Sequence, residues 1–181
     1  RIVEMGQLIA VPWGMKMLAD MGAQVIRLES CGRTDYRNDS LYENDIIGEF
    51  WNRGANFYEH NRNKLGFTLD LTKTQGLTIL KDLISISDIF VVTLAMTVVA
   101  LAVTAFLKEV RDLCNKAKAV LIVDETTSGW RINTGGAHLV YGLEPDIAVF
   151  AKGMSNGYPM AAAIGRRDVM DAAQDTFISS T

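Results

Sequence analysis

Cysteine and histidine are scarce in this 181-residue sequence, with two of each. Cys31 and Cys114 lie far apart and form no C-x-x-C, which excludes a cysteine-only metal site and fits a reducing compartment. His60 and His138 are too few and too scattered for zinc, and each reads as a surface or loop histidine. A large charge excess is also missing. The formal net charge is −3, so the basic surplus that nucleic acid demands is absent. There is no G-x-G-x-x-G fingerprint for a dinucleotide, no internal repeat, no low-complexity segment and no signal-peptide pattern. Ile89 to Leu107 carries no charged residue and is long enough to cross a bilayer. Thr93, Thr97 and Thr104 interrupt it, however, and its start reads as a strand after Ser85-Ile-Ser-Asp88. A strand over Ile89–Val92 and a helix beginning by about Val99 is preferred to a membrane span. The expected setting is cytoplasmic, with small-molecule partners and neither nucleic acid nor membrane.

What is present suits a packed core. Nearly half the residues are apolar (49%), and the length allows one ordinary domain or two small ones. Arg1–Met5 reads as a strand. A helix follows, with Pro12 in its first turn, apolar Met15, Leu18 and Ala19 at helical spacing, and Gly22 at its end. Gln24–Leu28 is a second strand, so the opening is Rossmann-like. Ser30 to Lys64 is a long polar connection whose aromatic residues, Tyr36 and Trp51 among them, suit packing on its own domain better than ligand contact. Phe67–Leu71 reads as a third strand. Thr72-x-x-Gln75 is a capping-box signature for a helix that turns Leu77, Leu80, Leu83 and Ile84 to one side. Thr97–Lys118 reads as a helix with Phe106, Val110 and Leu113 on one face. Met160–Ile164 and Arg167–Gln174 read as a closing strand and helix. Strands alternating with helices imply an α/β fold with a mainly parallel sheet, flanking helices and three αβα layers.

The stretch richest in chemistry runs from Ala119 to Pro159. Ala119–Val123 and Ile147–Ala151 are short apolar runs bounded by turn residues, as in buried parallel strands. The first ends at Asp124 and the second at Lys152, and ligands of open α/β sheets sit at such carboxyl ends. A lysine amine there can attack a carbonyl to form a Schiff base. A carboxylate facing a pyridine nitrogen keeps that ring an electron sink. On residue type and spacing alone, the preferred reading is that Lys152 is a solvated loop lysine and Asp124 an ordinary strand-end turn residue.

Two resemblances divide the chain. Asp124-Glu-Thr-Thr-Ser-Gly-Trp-Arg131, Tyr141-Gly-Leu-Glu-Pro-Asp146 and Ala151-Lys-Gly-Met-Ser-Asn-Gly-Tyr-Pro159 resemble class III aminotransferases of fold type I, above all the glutamate-1-semialdehyde aminomutase branch. This likeness runs from about Phe106 to Thr181. It implies pyridoxal phosphate as cofactor, Lys152 as the Schiff-base lysine and Asp124 as partner of the pyridine nitrogen. It places Thr126 against the ring face, where the family usually has valine, and Trp130 where a phenylalanine is usual. It also implies that Thr181 meets the cofactor phosphate of a neighbouring subunit, hence a homodimer.

Over residues 1–92 the sequence resembles the amino end of family III CoA-transferases, the formyl-CoA and carnitine CoA-transferase type. The residues that carry this are Leu8-Ile-Ala-Val-Pro12, Met17–Glu29, Gly32-Arg-Thr-Asp35, Asn61-Arg-Asn-Lys64 and Leu69-Asp-Leu71. The likeness implies Leu8, Ala10, Asn63 and Lys64 as CoA contacts. Val11 stands where that family commonly has glycine, and its catalytic aspartate belongs to downstream sequence that is not here. The chain therefore reads as chimera-like, with a CoA-transferase-like segment over 1–95 and an aminotransferase-like segment over 96–181. The upstream Gly/Ser phosphate cup has no counterpart. The expected function is a pyridoxal-phosphate aminotransferase or aminomutase fragment with little or no turnover alone. The alternatives are a CoA-binding or CoA-transferase module, and a folded fusion without activity.

Overall fold

A computed structural model describes residues 1–30, 54–93, 102–155 and 157–172. The chain divides into two compact units, Arg1–Val92 and Thr93–Thr181. It is an α/β protein with mainly parallel strands.

In the first unit, β1 (Ile2–Met5), α1 (Ala10–Asp20), β2 (Val25–Glu29), α2 (Ala55–Asn61), β3 (Leu65–Thr68), α3 (Thr74–Ser85) and β4 (Ile89–Thr93) alternate. All four strands are parallel, in the order β3-β2-β1-β4. This is the expected Rossmann-like beginning. The chain winds outward to β3 and then returns through α3 to pair β4 with β1. At such a reversal open α/β sheets place their ligands, beyond the strands' carboxyl ends. Pro12 lies in the first turn of α1, and Gly22, at φ +99°, follows its last residues.

The third strand begins and ends earlier than its apolar pattern suggests. β2 pairs Ile26 with Leu65 and Glu29 with Thr68. Beyond that, the Asp70 carboxylate accepts from Thr72 N at 3.0 Å and from Thr72 Oγ1 at 2.6 Å, a local turn that stops the strand. The same bonds take Thr72 away from the expected capping box. α3 starts at Thr74, and no side chain caps it. Its apolar stripe does form, with Leu80 and Ile84 fully buried.

The interior of this unit holds charge. Glu4 and Arg27 stand opposite each other on β1 and β2. Both are buried. Arg27 Nη1 donates to Glu4 Oε1 at 2.7 Å, and the Arg27 guanidinium lies 5.8 Å from the Phe57 ring centre. Lys64 Nζ sits 2.7 Å from Glu4 Oε2, a contact of charges without hydrogen-bond geometry. Lys64 also donates to Pro12 O at 2.8 Å and to Asn61 Oδ1 at 3.0 Å. One carboxylate thus joins two strands to the turn before β3 and, through Lys64, to the first turn of α1.

The second unit contains α4 (Ala102–Ala117), β5 (Val120–Asp124), α5 (Ala137–Val140), β6 (Ile147–Phe150), β7 (Ala162–Gly165) and α6 (Arg167–Met170). β5 and β6 are parallel, whereas β7 returns antiparallel to β6. The buried line of α4 is Leu107, Val110 and Cys114. Phe106 and Leu113, placed by their spacing on that line, only flank it. Burial raises the Cys114 thiol to about 11, which leaves it an inert core residue. Asp146 fixes the edge of this unit. Its Oδ2 accepts from Arg111 Nη1 and Leu121 N, both at 2.8 Å, and its Oδ1 accepts from Arg166 Nη1 at 2.9 Å. Among the described residues no helix is long and apolar enough to cross a membrane. β4 forms as expected. The start of the following helix falls outside the described residues, as do Cys31 and the aromatic residues of the long connection from Tyr36 to Trp51.

Glu4→Ala would remove the buried carboxylate that both Arg27 and Lys64 face. It should cost about 3–5 kcal/mol, read as a fall in the urea midpoint of the first unit. An unchanged midpoint would show that water reaches the pair.

Candidate functional site

The site in the second unit is built on strand ends. Asp124 is the last residue of β5 and pairs in register with Val149 of β6. Lys152 lies three residues past Val149, so both side chains leave from the carboxyl end of the same parallel pair. Asp124 is buried. Its Oδ1 accepts from Thr126 N at 2.9 Å and its Oδ2 from the Oγ1 of Thr93, the residue with which the second unit begins, at 3.1 Å. Each oxygen keeps a lone pair for a further donor. Thr126 is itself buried.

Lys152 is exposed and opens a single 3₁₀ turn, Lys152–Met154. Its backbone is left-handed, at φ +46°, a conformation costly for any residue but glycine. Its Nζ donates to Thr127 Oγ1 at 2.9 Å. The loop after β5 therefore meets the lysine through the Thr127 hydroxyl. Trp130, at φ +60°, stands edge-on to Phe150 with ring centres 5.1 Å apart.

Beside Asp124, Glu125 is fully buried. Its Oε2 accepts from the Ser128 hydroxyl. Its Oε1 accepts from His138 N at 2.7 Å and lies 2.9 Å from His138 Nδ1. Burial pushes the Glu125 carboxyl up. The bonds from Ser128, from the backbone and ring of His138 and from the Ala137 backbone outweigh that, and hold it below the usual carboxylate range. Gly136 has φ +118°, and a Cβ there would come within 2.6 Å of His138 Nδ1 and 3.0 Å of Glu125 Oε1. Only glycine allows this approach.

Nothing in the spacing of Glu125, Ser128 and His138 marked them as partners. His138, read from the sequence as a surface or loop histidine, has a side chain only 12% exposed. Thr93 and Thr127 were equally silent. Thr181 lies outside the described residues.

In the first unit the residues assigned to CoA separate. Leu8, at φ +66°, occupies the turn after β1, and Ala10 is exposed at the start of α1. Asn63, at φ +62°, sends its amide to Asp20 Oδ1 at 2.6 Å. Asp20 ends α1, about 15 Å along the axis from Ala10. The Lys64 side chain is 2% exposed and points inward to Glu4. Val11 is buried against Gly6, where an added Cβ would meet Val11 Cγ1 at 2.1 Å.

Strand order and strand-end chemistry together define an α/β protein of the kind that places its ligands beyond the carboxyl ends of parallel strands. The chain belongs to CoA-transferase family III, whose profile matches residues 1–105. Residues 97–181 match a second family, aminotransferase class III. The chain is 43% identical over 77 residues to 3-aminobutyryl-CoA aminotransferase of Cloacimonas acidaminovorans, which covers 42% of this chain and 19% of that protein. It is 52% identical over 66 residues to glutamate-1-semialdehyde 2,1-aminomutase of an Anaeromyxobacter species, covering 36% and 15%. The chain thus spans less than a fifth of the curated relatives it matches. A CAIB/BAIF family protein from Brucella suis superposes with a TM-score of 0.54 at 21% identity, over 68% of this chain and 31% of that one. This likeness shows the fold alone.

Because folding holds Glu125 below its ordinary value of 4.5, the unfolded chain takes up its proton first on acidification. The stabilisation is complete above about pH 4.5 and is lost as pH falls through the lower folded value. Glu125→Gln should flatten the acid limb of a melting-temperature profile between about pH 7 and pH 3. An acid limb that survives the substitution would assign it to other carboxylates.

Proposed function

We propose that the second unit is a pyridoxal-phosphate aminotransferase or aminomutase fragment, with Lys152 as the amine that holds the cofactor covalently and Asp124 as the carboxylate facing its pyridine nitrogen. The observation that supports this is the shared strand end. A buried carboxylate with spare lone pairs and an exposed lysine follow adjacent parallel strands, and the lysine donates to Thr127 of the loop after Asp124. These residues fit the cofactor's ring end. When bound, pyridoxal phosphate supplies the electron sink for chemistry at an amino acid's α-carbon. The chain's part is positional. Thr126 N and Thr93 Oγ1 fix the Asp124 carboxylate, Thr127 Oγ1 holds the lysine amine, and Thr126 lines the ring face. The phosphate end is not matched, because the Gly/Ser cup has no counterpart in the sequence. Phosphate contacts at helix N-termini normally anchor such ligands. Weak binding and little or no turnover follow, unless a second copy contributes, through Thr181 among others.

Pyridoxal phosphate followed by borohydride should place the label on the peptide containing Lys152. Asp124→Ala should preserve that label and cost transamination far more. Label spread evenly over surface lysines would remove the proposal.

A second reading, CoA binding by the first unit, is favoured by the family match and by the reversal of strand order where β4 returns beside β1, the strand that Leu8 and Ala10 follow. Lys64 is occupied by Glu4, and Asn63 is tied to the far end of α1. Binding is therefore expected to be weak and without acyl transfer. A hundredfold excess of CoA over its Kd would raise stability by about 2.7 kcal/mol. Calorimetry giving a micromolar Kd would contradict the expected weakness.

A further inference from the structure

Among the described residues, Glu125 is the one fully buried carboxylate beside the candidate site whose bonds reach both ends of the following loop. Through Oε2 it holds Ser128, at the close of the turn. Through Oε1 it holds the first residues of α5, by the backbone and ring of His138. Between Asp124 and Ser128 lie the two groups that meet the site: Thr126, whose amide donates to Asp124, and Thr127, whose hydroxyl accepts from Lys152. Gly136 lets the histidine ring close on the carboxylate.

We infer that Glu125 and His138 form a clamp of positioning residues that sets the Thr126–Gly136 loop, and through it the Asp124 carboxylate and the Lys152 amine. The inference rests on the cofactor reading above for its ligand and on the geometry alone for the loop. The carboxylate has no proton to give, so His138 Nδ1 carries the hydrogen of this bond. The ring's share is separable from the rest. Without it, Glu125 still accepts from Ser128 and from His138 N, so the unit keeps its core.

Two near-isosteric variants of the full chain isolate that bond. His138→Asn puts an amide nitrogen where Nδ1 stood and keeps a donor. His138→Leu fills similar space without one. Amide exchange is measured by mass spectrometry without cofactor, and the share of borohydride-fixed pyridoxal phosphate on Lys152 is measured separately. In His138→Leu, exchange over residues 126–136 should rise about tenfold, the loss expected for one hydrogen bond to a charged group. The Lys152 share of label should fall. His138→Asn should restore both, and α4 and β5 should exchange as in the unaltered chain in either variant. Unchanged exchange in His138→Leu overturns the clamp. So does a rise spread evenly over the unit, or failure of His138→Asn to rescue. If the unaltered chain does not label Lys152 yet the exchange contrast holds, the cofactor reading falls and the clamp stands.

Discussion

A carboxylate taken out of water must find donors or cations, and three acidic residues organise this chain by meeting that demand. Glu4 satisfies it across strands, with Arg27 directly opposite and Lys64 arriving from the turn before β3. Asp146 does so with two arginines and the backbone of Leu121. Glu125 does so with a hydroxyl, a main-chain amide and an imidazole. Leaving any of these unpaired costs far more than the pair itself contributes. The groups are therefore better understood as rules on where neighbouring segments go than as sources of stability.

Those rules bear on function differently in the two units. In the first, compensation of Glu4 consumes Lys64, a residue that its family likeness assigns to a ligand. In the second, compensation of Glu125 ties down both ends of the loop that follows Asp124, by way of Ser128 and His138.

The sequence carried the alternation of strands and helices and the α/β class, because continuous apolar runs and helical spacing were distinct and Gly22 and Pro12 marked boundaries with a mechanism. The ends of elements were less legible. β3 ends where Asp70 captures Thr72, a contact that competes with the cap the same threonine was expected to form. Family motifs pointed to Asp124 and Lys152. Their supports were hidden, because the Glu125–His138 and Thr93–Asp124 contacts join residues 13 and 31 positions apart, distances over which periodicity says nothing. Exposure was misread where pairing decided it, as at His138.

The backbone of Lys152 has a consequence of its own. Its left-handed conformation costs of order 1–3 kcal/mol for a side-chain-bearing residue, and the fold bears that cost whether or not a ligand ever arrives. Glycine at this position would relieve it. A lineage that had lost every use for the amine would be free to drift that way and gain stability in doing so. Position 152 is thus a place where thermodynamic selection and chemical selection pull in opposite directions, and the residue found there among this chain's nearest descendants would record which of the two has been acting.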